Sequence, residues 1–140
     1  MTGTANDQSK QLAWMLNQIL AQPEVYDALL VSGDGLLRAC SEGMNRAMAE
    51  RVAAALSGVK ATSTATAEFC RSSTGSWRQS LMEFDGGYVI MIGAADGTYL
   101  AAATSSNVDI AVVVMTMHTV VGQLGREMVS TPRQEDGSPT

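Results

Sequence analysis

The sequence predicts an α/β domain of the α+β kind: a five-stranded antiparallel sheet, order 2-1-5-4-3, with helices on both faces and elements in the order α-β-β-α-β-β-β-α. Three observations predict it. Apolar side chains recur with a helical period near both ends and once in the middle. Glycine–aspartate turns separate short apolar runs, as they do in hairpins and meanders. The runs also differ in polarity, which sorts them into central strands and edges.

In chain order, residues 1–7 are small and polar and read as a loose tail. Leu12, Met15, Leu16, Ile19 and Leu20 follow the i, i+3, i+4, i+7, i+8 pattern of an amphipathic helix, which Pro23 stops. Val25 to Val31 is apolar at most positions on both faces and reads as a strand covered on both sides. Ser32-Gly33-Asp34-Gly35 is a turn, and Leu36 to Ser41 its hairpin partner. Asn45 suits an N-cap, and Met48, Val52, Leu56 and Val59 form the core stripe of a helix reaching toward Phe69.

Trp77 to Phe84 reads as a strand with many polar positions, closed by Asp85-Gly86-Gly87. Tyr88 to Ile92 and Tyr99 to Thr104 are apolar strands joined through Asp96-Gly97. Asp109 opens a last helix with Ile110, Val113, Val114, Met117, Val121, Leu124 and Met128 on one stripe. Residues 131–140 read as a second tail, leaving one domain over 8–130. The first, fourth and fifth strands are apolar on both faces and belong in the centre; the second and third carry polar residues and belong at the edges.

Composition narrows the function classes. With 14 acids against nine bases the net charge is −5, which argues against bulk nucleic-acid binding and anionic membrane surfaces. Seven aromatics in 140 residues make base- or sugar-stacking pockets scarce, whereas 13 Gly and nine Met suit close helix packing and adaptable protein-binding surfaces. Cys40, Cys70 and the lone His118 are too few for a closed zinc site, and the two cysteines suit small core positions. His118 has no adjacent nucleophile, neither cysteine has a CxxC partner, and no glycine loop is followed by a phosphate-binding lysine. No catalytic constellation, cofactor or metal is expected. The apolar run Ile110 to Val121 is short of the roughly 20 residues of a membrane span, and no basic stretch leads into an apolar run at the N-terminus, so the expectation is a cytoplasmic protein.

Two features predict self-association. Ala47, Ala54, Gly58 and Ala61 form a small-residue seam beside the core stripe of the second helix, which lets two helices approach closely. The third strand carries Trp77, Gln79 and Leu81 on one side and Arg78, Ser80 and Met82 on the other; an edge this apolar is an association hazard unless paired, and pairing with its symmetry mate removes the hazard.

Ser32-Gly33-Asp34-Gly35-Leu36-Leu37, Ser41-Glu42-Gly43, Gln79 to Gly87, Gly93-Ala94-Ala95-Asp96-Gly97 and Asp109, in that order, resemble the roadblock/dynein light chain family, over Leu12 to Arg133. The nearest resemblance is to the short roadblock proteins of actinobacterial gene clusters called conservons. It implies a profilin-like fold and homodimers in which third strands pair edge to edge and second helices pack antiparallel. It also implies a small Ras-like GTPase as partner, with a membrane sensor-kinase-like protein as neighbour that could recruit the complex to the inner face of the membrane. A glycine-rich or acidic-then-tyrosine pattern usual in these relatives is replaced here around Ile110 to Met115. Arg46, Glu50, Arg51 and Arg78 are the candidate GTPase-facing residues; roadblock partners reshape the GTPase's own switch loops, so no inserted arginine is implied. The competing expectation is a small-ligand sensor of profilin- or PAS-like architecture, which the shortage of aromatics and convergent polar groups disfavours.

Overall fold

The computed structural model describes the backbone of residues 2–137 and the side chains of residues 10–126. Its elements are α1 (Thr2–Leu20), β1 (Val25–Val31), β2 (Leu37–Cys40), α2 (Arg46–Thr64), β3 (Gln79–Phe84), β4 (Gly87–Gly93), β5 (Tyr99–Ser105) and α3 (Ile110–Gly137), with short 3-10 turns at Ala67–Cys70, Thr74–Ser76 and Ala95–Gly97. All strand pairings are antiparallel and the sheet order is β2-β1-β5-β4-β3, as the polarity of the strands predicts.

Side chains of the central strands alternate between two cores. Ala28, Leu30, Ile90, Ile92, Leu100 and Ala102 meet Leu12, Met15, Leu16 and Ile19 of α1 and Val113, Met117, Val120 and Leu124 of α3. Leu29, Val31, Met91, Tyr99 and Ala101 meet Ala49, Ala53 and Leu56 of α2. Met128, the last residue of the predicted α3 stripe, lies outside the described side chains. The β1–β2 turn is closed by Ser32 N–H to the Leu36 carbonyl at 2.9 Å, with Gly35 at φ 87°, a conformation that favours glycine. Ser41 extends the β1–β2 pairing from a buried position: its hydroxyl accepts from Ala28 N–H at 2.6 Å and donates to the Ala28 carbonyl at 3.0 Å. Asp109 caps α3, its carboxylate accepting from Val112 N–H at 3.3 Å.

The elements depart from the sequence expectations in four places. α2 ends at Thr64 rather than near Phe69, which is 94% exposed. The hydroxyls of Thr62, Thr64 and Thr66 fold back onto the carbonyls of Gly58, Ala61 and Ser63, competing with the helical ladder. Cys70, expected in a core, is exposed in the turn that follows, whereas Cys40 is half-buried beside the α2 core; both are free. β3 starts at Gln79 rather than Trp77, because the turn Thr74–Ser76 leads into it. Helical backbone continues through residues 2–7 and 131–137, read from the sequence as tails, since extending a formed helix is far easier than nucleating one; Met1 and residues 138–140 lie outside the described residues. No described helix is long and apolar enough to cross a membrane. Among the described residues, no three His, Cys, Asp or Glu side chains converge as a metal site requires.

Candidate interaction surface

α2 is set by its capping residue and by how closely it approaches the sheet. Asn45 accepts from Met48 N–H at 2.9 Å and fixes where the helix starts. The residues that α2 buries are Ala49, Ala53 and Leu56, so the predicted core stripe of Met48, Val52, Leu56 and Val59 needs correction. Met48 is 46% exposed, and Val52 and Val59 are half-buried at the flank. The cause is Tyr99 beneath the helix. Its hydroxyl donates to the Ala53 carbonyl at 2.9 Å and lies 2.9 Å from Ser57 Oγ, which itself donates to that carbonyl at 2.8 Å. Only small side chains at 49 and 53 let the helix come this near.

Burial pushes the Tyr99 phenol above its ordinary value, and the hydrogen bond with Ser57 partly offsets this. Folding therefore favours the neutral phenol, and that stabilisation is present below the ordinary phenol range near ~10 and is lost as pH rises through it. Between about pH 9 and 11 the melting temperature of the wild type is expected to fall more steeply than that of Tyr99→Phe. Parallel curves would contradict this assignment.

With α2 seated this way, Ala47, Ala54, Gly58 and Ala61 are all exposed on its outer side, and nothing lies within 4 Å of a Cβ built on Gly58. Along the Met48 and Val52 flank runs a groove of about 200 Å³, floored by Leu29, Val89 and Ala101 and almost wholly apolar. β3 is the outermost strand on one side of the sheet, so its outer backbone groups have no strand partner among the described residues. Leu81 is 49% and Phe84 60% exposed along it, and Gln79 is exposed at its start.

Alternation predicts Trp77 on one face with Gln79 and Leu81, and the structure separates them. Gln79 and Leu81 pair opposite Ile92 and Ile90, on the α1/α3 side. Trp77 precedes the strand, packs in the α2-side cluster against Gly93, and donates its indole N–H to Ser80 Oγ at 2.9 Å.

The four charged candidates do not converge. Arg46 and Glu50 pair with each other at 3.5 Å on exposed side chains, an i,i+4 contact worth a few tenths of a kcal/mol, roughly 0.3. Arg51 is exposed beside Ala47 and Ala54. Arg78 stands with Lys60 at the other end of α2, about 21 Å along the axis from Arg46 at 1.5 Å per residue. Sequence reasoning missed Lys60, Ser57 and Tyr99. Lys60 Nζ donates to the Gly97 carbonyl at 2.7 Å and stands 5.5 Å and 5.9 Å from the Trp77 and Tyr99 ring centres. No sequence signal links residues so far apart. In the β1–β2 turn, the Ser32 hydroxyl beside Asp34 holds that exposed carboxyl below its ordinary value.

Comparison with known proteins places this geometry. The family model described as Roadblock/LC7 domain matches residues 8–104. A Roadblock/LC7 domain of Streptomyces avermitilis superimposes with a TM-score of 0.76 at 24% identity, covering 84% of this chain and 97% of that one. A second such domain from the same organism is 31% identical with a TM-score of 0.65, covering 81% and 97%. Myxococcus xanthus MglB is 12% identical with a TM-score of 0.76 over 86% of this chain and 96% of its own, which shows a shared fold. No curated protein matches the chain.

Proposed function

Because this chain belongs to the Roadblock/LC7 domain family, we propose that it is a homodimeric, non-catalytic regulator that binds a small Ras-like GTPase and biases its nucleotide state. The observations that support the dimer are the exposed row Ala47, Ala54, Gly58 and Ala61 on the outer side of α2 and, separately, the apolar groove along its Met48 and Val52 flank. A second α2 packed antiparallel against the first covers apolar surface there, and the β3 edges pair about the same two-fold axis, as the symmetry of an isologous interface requires. Gln79 and Leu81 then lie along the paired edge, and Trp77 buttresses its start from the α2 side.

The GTPase-facing residues are the exposed charges around this platform: Arg46 and Glu50 on the flank of α2, Arg51 beside the seam, and Arg78 next to β3. The regulatory step is differential binding. A dimer that prefers one conformation of the GTPase switch loops shifts their population toward it, by no more than the difference in its affinities for the two. A membrane sensor-kinase-like partner is the proposed means of bringing this cytoplasmic assembly to the inner face of the membrane.

The test is sizing chromatography with light scattering on the protein alone and mixed with the Ras-like GTPase encoded nearest its gene, loaded with GDP or with a GTP analogue. The expected result is a dimer that co-elutes with one nucleotide form of the GTPase at least about tenfold more tightly than with the other. Co-elution with neither form would sink the GTPase reading, and a monomer at micromolar concentration would sink the dimer.

A further inference from the structure

Where the C-terminal part of α2, the residues leading into β3 and the β4–β5 turn meet, there is a cavity of about 590 Å³, within the usual size of a small-ligand site. Three basic side chains from separate parts of the chain line it: Lys60 from α2, Arg78 beside β3 and His118 from α3, with no carboxylate among the lining residues. The chain as a whole is acidic, with 14 acids and nine bases, so the sign of this cavity is opposite to that of the molecule. Among the described residues the one ion pair is Arg46–Glu50, so neither Lys60 nor Arg78 is paired with a carboxylate.

Lys60 is also held in place. Its ammonium gives one hydrogen bond to the Gly97 carbonyl at 2.7 Å and stands over Trp77 and Tyr99, which leaves two of its three donors unused. Arg78 is exposed, and its guanidinium fork has no side-chain partner among the described residues. Trp77 lies against Gly93 and under Lys60. Its ring therefore serves as a wall rather than a stacking plate, and recognition rests on charge.

We propose that this cavity binds a small phosphate monoester, its dianionic head received by the Arg78 fork and the Lys60 ammonium, with His118 on the third side. Guanidinium and ammonium groups approaching a tetrahedral oxyanion from different directions make charge-assisted hydrogen bonds, the strong class of such contacts. An anion held there ties the end of α2 to the root of β3. The site is tested on the protein alone and does not depend on the GTPase reading.

The test is an NMR titration of the 15N-labelled protein at neutral pH and constant ionic strength, with inorganic phosphate, glycerol 3-phosphate and sodium chloride in separate arms. Saturable shifts confined to the amides around Lys60, Trp77, Arg78 and Gly97 are expected with both phosphates and not with chloride. Glycerol 3-phosphate should bind at least as tightly as inorganic phosphate. Arg78→Gln, which removes a side chain with no internal partner, should weaken binding at least about tenfold with an otherwise unchanged spectrum. Shifts that do not saturate, that match those of chloride, or that persist at equal affinity in Arg78→Gln would overturn the proposal.

Discussion

Replacing Ala54 by Arg is expected to leave a folded protein that no longer dimerises. The two halves of that expectation have separate causes. Ala54 is exposed in the single chain, on the side of α2 turned away from Ala49, Ala53 and Leu56, so a long side chain there meets no protein and Arg is a good helix former. In the proposed dimer the same position faces the partner's α2 across a seam of Ala and Gly. The long charged side chain would then have to be desolvated and pressed between the two helices, at a cost of about 3 kcal/mol or more, or roughly two orders of magnitude or more in the dimer dissociation constant. Light scattering reads the mass and amide dispersion reads the fold. The matched control is Gln11→Arg, exposed on α1 across the sheet, which should stay dimeric. A dimeric Ala54→Arg of unchanged stability would place the interface elsewhere, and an unfolded one would mean that the protomer does not stand alone.

The same helix shows which parts of this molecule are legible in its sequence. The sheet order follows from the hairpin connections and from polarity, because a strand covered on both faces has to be mainly apolar. Tyr99–Ser105 is buried at all but Ala103, and Val25–Val31 is buried from Ala28 onward, with Tyr26 exposed and Asp27 half-buried at its start. The rotation of α2 is not legible in the same way. Alanines occur on several of its sides, and hydropathy ranks Met48 and Val52 above Ala49 and Ala53 as core residues. What decides is the room above Tyr99, whose hydroxyl has to reach the Ala53 carbonyl; that distance belongs to the folded chain, not to any stretch of sequence. That Ala47, Ala54, Gly58 and Ala61 share the outer side of α2 is legible, because their spacing is local. The basic cavity is not legible, because Lys60, Arg78 and His118 lie on three separate parts of the chain, 18 and 40 positions apart, and meet only when the sheet forms. The face of Trp77 is not legible for a related reason: alternation is meaningful only inside a strand, and here the strand begins two residues later.

Gly87→Ala is expected to be the most damaging single methyl in the sheet. Gly87 opens β4, paired with Phe84 on one side and Ser105 on the other, and is buried. A Cβ placed there would lie 1.9 Å from the Thr104 carbonyl oxygen and 3.2 Å from the Ser105 Cα. Both are backbone atoms of β5, so no rotamer change relieves the clash, and β4 and β5 have to separate locally. Overpacking against atoms that cannot turn aside lies at the upper end of its usual range, about 3 kcal/mol, which for a chain of this size lowers the melting temperature by about 10 °C. The neighbouring Gly86 is the internal control: nothing lies within 4 Å of its Cβ position and its φ is not in the left-handed region, so Gly86→Ala should change stability by about 0.5 kcal/mol or less. The contrast tests the register and not merely the presence of a turn, because shifting β4 by one residue would move the clash from Gly87 to Gly86 or Tyr88. Equal melting temperatures for the two variants would refute the Gly87–Ser105 pairing. Since β3 is held to the sheet only through β4, Gly87→Ala should also loosen the edge on which the proposed dimer depends, so its mass should fall together with its stability.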